Sequence, residues 1–567
     1  MQFLKSCRLA NWPLSLLIAL SLFAGLTACE NDSTPDPVLS ITNVSPTSAP
    51  VGSTVTITGT QFSTTPESNT VTFSGNVRAA VQSATATQLV VTVPAGAQNG
   101  PISVTSGGAT VQSATAFSIS ARPVQEVQGD ITQNTTWSKG TIYVIRGFVY
   151  VKSGAVLTIQ PGTIIKGGTR EQDPSGNQRG GTLIIEKGAR IVADGTAQEP
   201  IVFTSNKARG QRNYGDWGGI VIIGKAPHNQ AASRTFEGGI AGTFGTDNEA
   251  ADNSGTLRYV RIEFPGIALS TATNSEINGL TLYGVGSGTT IENVQVSYSG
   301  DDAYEWFGGT VNAKNLVALR TFDDDFDTDF GYVGKVQYAL ALRDPAFADQ
   351  SGSNIFESDN FNPGEPATAA NNGLPLTAPV FANVSAFAFA PGTTPSTATA
   401  QGSGGYQSAM HLRRNTAISI YNSVFVGFPE GLRLDGTATG TLANATAGRL
   451  DLRGITMANV GISGSTTSIP VRGAGAITNE QALAYFSEAA RNNNVVTDAA
   501  TLLLPAATFN LTTPTLLPGT GSPLLQGAVT STKLDAFFTT GAFRGAFGAT
   551  NWAQGWTNFD PQNTDYN

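Results

Sequence analysis

A fixed repeat between residues 291 and 342 constrains the fold of this chain more than any other feature. Ile291, Ala313 and Lys335 each begin a strand-like segment and lie 22 residues apart. Further correspondences in this register are Asn293 with Asn315 and Gln337, Val294 with Leu316 and Tyr338, and Val296 with Ala318 and Leu340. A period in the low twenties with β-type alternation inside it is typical of a solenoid. Each coil buries one row of apolar side chains and stacks on the next, so the repeat predicts a parallel β-helix.

Acidic residues follow the same period. Asp301 corresponds to Asp323, Asp302 to Asp324, Glu305 to Asp327, and Tyr304 to Phe326. Residues in register on adjacent coils lie about 4.8 Å apart. The sequence therefore predicts a column of carboxylates on one face of the β-helix.

Composition and charge narrow the class of protein. Charged residues make up only 13% of a chain with 64 Gly, which favours an all-β extracellular protein with many turns. The formal charge of −9 argues against a nucleic acid partner. Cys7 and Cys29 are too few for a disulfide framework. His228 and His411 have no nucleophile-elbow motif nearby, which disfavours a Ser-His-Asp hydrolase.

The N-terminal residues predict where the protein is located in the cell. Two basic residues precede a short apolar segment that ends in Leu26-Thr27-Ala28-Cys29. This tetrapeptide resembles the lipobox of bacterial lipoproteins, which implies cleavage before Cys29 and acylation of its thiol. We expect a signal peptide at 1–28, a polar tether at 29–37 and a lipid anchor in the outer membrane, with the protein facing the cell exterior. The alternative is an ordinary secretory signal with an unrelated cysteine.

Residues 38–120 predict a small domain of their own. About seven short alternating runs broken by Gly and Pro suggest an Ig-like β-sandwich. The segments VSPTSAPVGSTVTITGTQF and LVVTVPAGAQNGPISVT resemble an IPT/TIG domain. The resemblance implies a spacer that lifts the next domain off the membrane or, as the alternative, a ligand-holding module, and we expect residues 121–128 to form the linker.

Residues 129–476 contain the predicted solenoid. Strand-like runs alternate with turns rich in Gly, Asp, Asn and Pro, and the opening coils resemble right-handed parallel β-helices of the pectate-lyase-like type. Residues 477–567 predict one short helix with Thr478 as N-cap, followed by an aromatic, glycine-rich stretch that we expect to cover the open end. The predicted fold is all-β: an Ig-like β-sandwich, then a right-handed parallel β-helix with a C-terminal cap and one short helix.

Calcium binding is the first interpretation of the acidic column. Carboxylates on adjacent coils suit a hard cation with six to eight oxygen ligands. The spacing of Asp325, Asp327 and Asp329 resembles acidic calcium loops, although the Glu that closes an EF-hand is missing. The candidate ligands are Asp301, Asp302, Glu305, Asp323, Asp324, Asp325, Asp327 and Asp329.

Polysaccharide cleavage is the second interpretation. The family resemblance implies Asp ligands for Ca²⁺ and an Arg as base, and polygalacturonase-like hydrolases carry an Asp pair. The candidate catalytic residues are Asp301, Asp302, Asp323, Asp324 and Arg320. The chain lacks the Gly-His-Gly and Arg-Ile-Lys motifs of such enzymes, which weighs against cleavage.

A solvated acidic face is the third interpretation, because Asp is a common turn residue and exposed carboxylates repel weakly.

Aromatic residues could also stack on sugar rings, although Trp217 fits the solenoid core equally well. The candidate stacking residues are Trp217, Tyr304, Trp306 and Phe326. We expect a lipid-anchored surface protein whose β-helix binds an extracellular polysaccharide or matrix polymer, with Ca²⁺ on the column. The alternatives are a polysaccharide lyase or hydrolase, and a structural or adhesive surface protein.

Overall fold

The computed structural model describes residues 38–94, 96–269, 276–361, 373–398 and 404–566. Cys29, with the predicted signal peptide and tether, lies outside these residues. Among the described residues, no helix combines the length and apolarity needed to cross a bilayer.

The first domain is a β-sandwich with antiparallel sheets. Thr54–Thr60 alternates as predicted and buries Val55 and Ile57 completely. One sheet contains Ser40–Ser45, Thr54–Thr60, Gln88–Thr92 and Val81–Ala84, and the other contains Val77–Ala79, Asn69–Ser74, Gln98–Ser106 and Ala109–Gln112. A short parallel pair joins Ser48–Ala49 to Ser118–Ile119. The predicted Ig-like domain is confirmed.

The second domain is a β-helix of parallel strands arranged in two sheets. Sheet 1 comprises Val124–Val127, Thr135–Trp137, Ile142–Ile145, Val156–Ile159, Ile164–Gly167, Arg190–Asp194, Ile201–Ser205, Gly255–Glu263, Thr290–Ser297, Asn312–Leu319, Lys335–Leu342, Val380–Phe387, Ser419–Tyr421, Val424–Phe428, Asp451–Arg453, Thr456–Val460 and Asn494–Val496. Sheet 2 comprises Phe148–Val151, Thr182–Ile185, Gly219–Ile223, Leu280–Tyr283, Tyr304–Phe307, Phe326–Asp329, Phe356–Ser358, Ser408–Leu412, Glu430–Gly436 and Val471–Gly475. The predicted solenoid is confirmed, with a core of apolar residues between the sheets.

The middle strands of sheet 1 bend at one left-handed residue each. Asn293, Asn315 and Asn383 have φ of 54°, 58° and 59°, a conformation that Asn tolerates better than most residues. In the first coils, Arg190–Asp194 and Ile201–Ser205 are separate strands, yet both pair with Gly255–Glu263. The bend therefore allows one long strand to replace two sides of the coil.

The predicted repeat is right for two coils and wrong for the third. Ile291 pairs with Ala313, as predicted, but Ala313 pairs with Val336 rather than Lys335. The turn at 330–334 is one residue longer than the turn at 308–311, so every later position shifts by one. The predicted matches of Gln337, Tyr338 and Leu340 shift with it.

Helices occupy the C-terminal end of the core. Asn479–Phe486 starts at the predicted N-cap Thr478, whose side chain accepts a hydrogen bond from the Gln481 amide (3.3 Å). It buries Tyr485 and Phe486 in the solenoid core, which closes this end. A second short helix, Thr441–Thr446, was not predicted.

The final stretch of the chain covers the side of the solenoid, so the prediction that it caps the end is wrong. Trp556 and Phe547 pack on outward-facing apolar residues of sheet 1, among them Val317 and Leu340. The physical reason is that these strands are apolar on both faces, and the outer face needs a cover. The cover extends to the first coils, where Tyr566 packs with Ile142, Ile164 and Val202.

Candidate functional site

The acidic column lies on the outer surface of sheet 2. Side chains alternate along a strand, so Glu305 and Phe307 point outward while Tyr304 and Trp306 point into the core. Strand pairing aligns one outward row across the coils, which we call the ladder: Thr281, Glu305, Asp327, Glu357, His411, Arg433 and Arg472. The predicted pairs Glu305 with Asp327 and Tyr304 with Phe326 are confirmed as structural neighbours.

The aromatic residues predicted to stack on sugars are all in the interior. Trp217, Tyr304, Trp306 and Phe326 are each 0% exposed. Tyr304 stacks on Phe326 at 5.7 Å between ring centroids, and Trp217 stacks on Phe203 at 6.4 Å. As ligand-binding residues they are wrong, because strand alternation turns Tyr304, Trp306 and Phe326 into the core, and Trp217, in the bend before Gly219–Ile223, is held inside by its hydrogen bond to the Glu263 carbonyl (2.8 Å).

Two carboxylate triads form at the acidic end of the face. Asp301, Asp302 and Asp323 make one, and Asp302, Glu305 and Asp327 make the other. In each triad the ligand-type oxygens lie within 4.8 Å of one another. In the part of the chain that the structure describes, no Lys or Arg forms an ion pair with any of these five carboxylates.

Burial and mutual repulsion make these groups weak acids. Burial, followed by the negative charge of Asp323, raises the pKa of Asp301 well above its usual range. Burial and Asp327 do the same for the pKa of Glu305. For Asp323, burial and Asp349 raise the pKa to about 7. The cluster therefore favours bound protons or a bound cation over bare negative charge.

Three predicted metal ligands stand apart from the triads. Asp324 accepts a hydrogen bond from Asn354, and Asp329 accepts one from the Phe330 amide (2.6 Å). Asp325 is fully buried and pairs with Arg343 (3.1 Å), so it is wrong as a ligand on the outer face.

Arg343 explains why a carboxylate can enter the core at Asp325. Its guanidinium also donates to the carbonyl oxygens of Asp323 (2.6 Å), Asn354 (2.8 Å) and Thr321 (3.0 Å). These bonds join the turn that carries Thr321 and Asp323 to Asn354 on the next coil. Nothing in the local sequence of Asp325 signals this partner.

Arg320, the predicted catalytic base, points elsewhere. It pairs with Asp344 at 3.3 Å and lies over the ring of Tyr298 at 5.1 Å. Because the guanidinium already makes an ion pair and lies over an aromatic ring, these contacts are structural, and the geometry gives no support for a role as base.

A cluster of aromatic residues near the first triad was missed by the sequence analysis. Tyr214 contacts Tyr298, Phe322 and Phe347, with ring centroids 5.3, 5.7 and 5.0 Å away. Phe322 immediately precedes Asp323, and Tyr214, Phe322 and Phe347 are all partly exposed. The available signal was the position of Tyr298 and Phe322 in the turns that carry the acidic pairs, rather than in the strands.

The ladder continues into coils whose charges are paired. His411 lies between Glu357 (3.5 Å) and Asp435 (3.2 Å), Arg413 pairs with Glu357, and Arg414 pairs with Asp359 (3.3 Å). Burial alone would raise the pKa of Glu357, but the contact with His411 and the adjacent cations Arg413 and Arg414 lower it to about 2. We call these residues the paired segment.

The geometry defines a parallel β-helix protein with an Ig-like domain and a carboxylate ladder. Residues 129–557 match the model of the pectate-lyase-like β-helix domain, and residues 39–119 match that of the IPT/TIG domain. The protein belongs to the pectate-lyase-like β-helix family, because this match covers most of the chain. The two domains fit a surface protein whose role involves polysaccharide.

Solved structures resemble only a small part of the chain. An auxiliary nutrient binding protein from Bacteroides thetaiotaomicron is 23% identical over 15% of this chain and 21% of its own, with a TM-score of 0.14. A structural genomics protein of unknown function from the same organism is 17% identical over 16% of this chain and 25% of its own, with a TM-score of 0.14. The chain thus spans a quarter or less of either structure. No curated protein matches it.

Proposed function

We propose that the protein is a lipid-anchored surface protein that binds an extracellular polysaccharide, or another matrix polymer, through Ca²⁺ held on the acidic end of sheet 2. The observation that carries this proposal is the pair of carboxylate triads without a cationic partner among the described residues. Anchoring through Cys29 rests on the lipobox resemblance alone.

The donor set suits calcium. Two oxygens bound to one Ca²⁺ at about 2.4 Å are separated by no more than about 4.8 Å, and the triad oxygens fall within that limit. All donors are carboxylate oxygens, which a hard cation prefers. Asp302 belongs to both triads, so it would contribute whether one or two ions bind.

A polymer would contact the same region through two kinds of group. Calcium that keeps open coordination positions can accept hydroxyl or carboxylate oxygens from a sugar. The partly exposed rings of Tyr214, Phe322 and Phe347 offer apolar surfaces for the sugar faces. Their position beside Asp323 supports recognition of a chain that runs across the coils.

Calcium-dependent retention on a polysaccharide panel tests the proposal. The double variant Asp323→Asn, Asp324→Asn should weaken retention and reduce the rise in melting temperature that calcium gives the parent protein, because it breaks the triad that contains Asp323 and leaves the other triad intact. The matched control is Asp194→Asn, whose carboxylate pairs with Arg258 (2.8 Å) outside the triads and should change neither property. A parent protein whose melting temperature is the same in calcium and in chelator would rule out the metal.

Hydrolysis is the second candidate function, and the ladder gives one observation in its favour. Asp327 and Glu357 are in register on adjacent coils, and their surroundings push their pKa values in opposite directions. A protonated Asp327 could donate its proton to a glycosidic oxygen while ionised Glu357 acts as nucleophile or base. New reducing ends that disappear in Asp327→Asn and in Glu357→Gln would establish this activity, whereas retention without cleavage favours binding.

A further inference from the structure

The C-terminal segment 527–566, which we call the strap, is held on the outer face of sheet 1 by buried side-chain amides. Three of these amides each exchange two hydrogen bonds of 2.7 to 3.0 Å with the backbone of the strap: Gln295 with Asn558, Gln337 with Thr539, and Asn422 with Val529. A coil of a solenoid otherwise contacts only its neighbours. The strap therefore joins coils that lie far apart in the stack.

Beyond Asn558 the strap is held on the first coils by a polar cluster centred on Glu263. We call this end, residues 559–566, the latch. Tyr566 donates its hydroxyl hydrogen to Glu263 Oε1 (2.6 Å) and accepts a hydrogen bond from the Asn558 side chain (2.9 Å). Arg212 donates to two backbone carbonyls of the latch, at 2.6 and 2.9 Å, and its guanidinium lies 5.0 Å from the centroid of the Tyr566 ring. The latch thus closes over a carboxyl group.

The Glu263 side chain is enclosed when the latch is closed. The residue is 1% exposed, and burial raises the pKa of its carboxyl group. The positive charges of Arg261 and Arg212 and the hydrogen bond from Tyr566 offset this effect only in part. The charged and titratable groups on the surrounding elements are Arg261 on the same strand, Lys166 on an earlier coil, Tyr298 on the next coil, Arg212 before Trp217, and Asp560, Asp565 and Tyr566 in the latch.

Protonation of Glu263 and closure of the latch are linked. The closed latch holds the carboxyl group at a raised pKa, whereas water around an open latch returns the pKa to its usual value of 4.5. The closed form therefore binds the proton more tightly. Its stabilisation is complete below pH 4.5 and is lost as pH rises through the raised pKa. Above that range, closure leaves a charge in a buried position, which is unfavourable.

We propose that the latch closes over a protonated Glu263 and lifts when Glu263 ionises, and that lifting uncovers an apolar strip formed by Ile142, Ile164 and Val202 on the first coils. The amide pairs that hold the rest of the strap do not titrate, so only the latch moves. The latch lies on sheet 1, whereas the triads lie on sheet 2, and it needs no calcium. The inference therefore goes beyond the proposed function.

Hydrogen exchange of the full-length protein in chelator, at pH 4.5 and pH 8, tests this proposal. Rates are corrected for the intrinsic effect of pH. Protection of the latch, and of the Gly210 amide that donates to the Gln562 carbonyl (3.0 Å), should fall about tenfold or more at pH 8. The Thr539 and Val529 amides should change by less than about threefold, because neutral amide side chains hold them. They serve as the internal reference, since the acidic end of the ladder also loses stability as pH rises.

Glu263→Gln is the decisive variant, because it keeps an acceptor for Tyr566 and cannot ionise. Its latch should remain protected at pH 8. The matched control is Glu292→Gln, whose carboxylate on the same sheet pairs with Arg258 (3.1 Å) rather than with the latch, and which should behave as the parent protein does.

Tyr566→Phe provides a second route where Glu263→Gln does not fold, because it changes only the end of the strap. Phe keeps the packing on Ile142 and the position beside Arg212 but removes the hydroxyl donor. Protection of the latch at pH 4.5 should fall about threefold or more, and unchanged protection overturns the proposal. It is also overturned when the parent latch is equally protected at both pH values, when Glu263→Gln retains the fall, or when Thr539 and Val529 lose protection together with the latch.

Discussion

The two ends of the ladder share the same backbone geometry, but the charges that surround their carboxylates differ. At the acidic end, carboxylates on adjacent coils face one another without a cation among the described residues. In the paired segment, Glu357 contacts both His411 and Arg413 at the same coil spacing. Since strand geometry is common to both, the side chain on the next coil decides whether a carboxylate is stabilised by an opposite charge or destabilised by a like charge.

The pKa values express this difference with opposite signs. The pKa of Asp323 is raised to about 7 by burial and Asp349, and that of Glu357 is lowered to about 2 despite burial. A raised carboxyl pKa gives stability that is lost as pH rises, and a lowered one gives stability that is lost as pH falls. The two ends therefore respond to pH with opposite signs, and the charge of Glu357 links them because it also raises the pKa of Asp327.

The largest effect is expected at Asp325, a buried carboxylate outside the triads that pairs with Arg343. Arg343→Met should lower the free energy of unfolding by about 3–5 kcal/mol, because Asp325 stays buried without its partner. The turn carbonyls that Arg343 satisfies would also lose their donor. Denaturant unfolding measures this change.

The double variant Arg343→Met, Asp325→Leu serves as the control, since it removes both charges and should recover part of the loss. A single variant that loses less than about 1 kcal/mol would mean that water reaches Asp325 and that the pair is not buried in solution.

The sequence predicted the architecture because the repeat and the alternation are local patterns. The register of Glu305 with Asp327 followed from them. The one-residue shift of register that pairs Val336 with Ala313 could not be predicted, because one extra residue in the turn at 330–334 leaves the strand patterns on either side intact. Turn length is set by how the chain crosses the coil edge, which periodicity does not encode.

The errors at the candidate site arise because alternate residues of a strand face opposite sides of the sheet, and the sequence did not show which set faces the core. In Tyr304–Phe307, aromatic residues occupy both strand faces, so composition alone could not show that Trp306 is inside and Phe307 outside. The ion pair of Asp325 with Arg343 joins residues 18 positions apart across a coil and has no local signal. The fold was thus accessible from patterns, whereas the site depends on contacts between coils.

The next largest effect is expected in the paired segment. Glu357→Gln should lower the free energy of unfolding at pH 7 by about 2 kcal/mol, because His411 and Arg413 lose a shared carboxylate. The contribution of Glu357 is complete above its usual pKa near 4.5 and disappears as pH falls toward about 2. Unfolding at several pH values between 3 and 7 should show the difference between parent and variant shrinking with acid. A difference that stays constant over this range would show that Glu357 is not held ionised by its partners.

The smallest effect, with the opposite sign, is expected at the acidic end. In chelator, Asp323→Asn should raise the free energy of unfolding at pH 8 by about 1 kcal/mol after allowance for solvent screening, because it removes one repelling carboxylate. The parent should lose this stability as pH rises from about 4 through the raised pKa of about 7, and the variant should lose less, because burial still raises the pKa values of Asp301, Asp302, Glu305 and Asp327. Saturating calcium should reverse the order, since only the parent keeps both triads complete. Melting curves at pH 4.5, 6 and 8, in chelator and in calcium, measure both signs. If parent and variant show the same pH dependence in chelator, the carboxylates at the acidic end are hydrated, and the contrast between the two ends of the ladder fails.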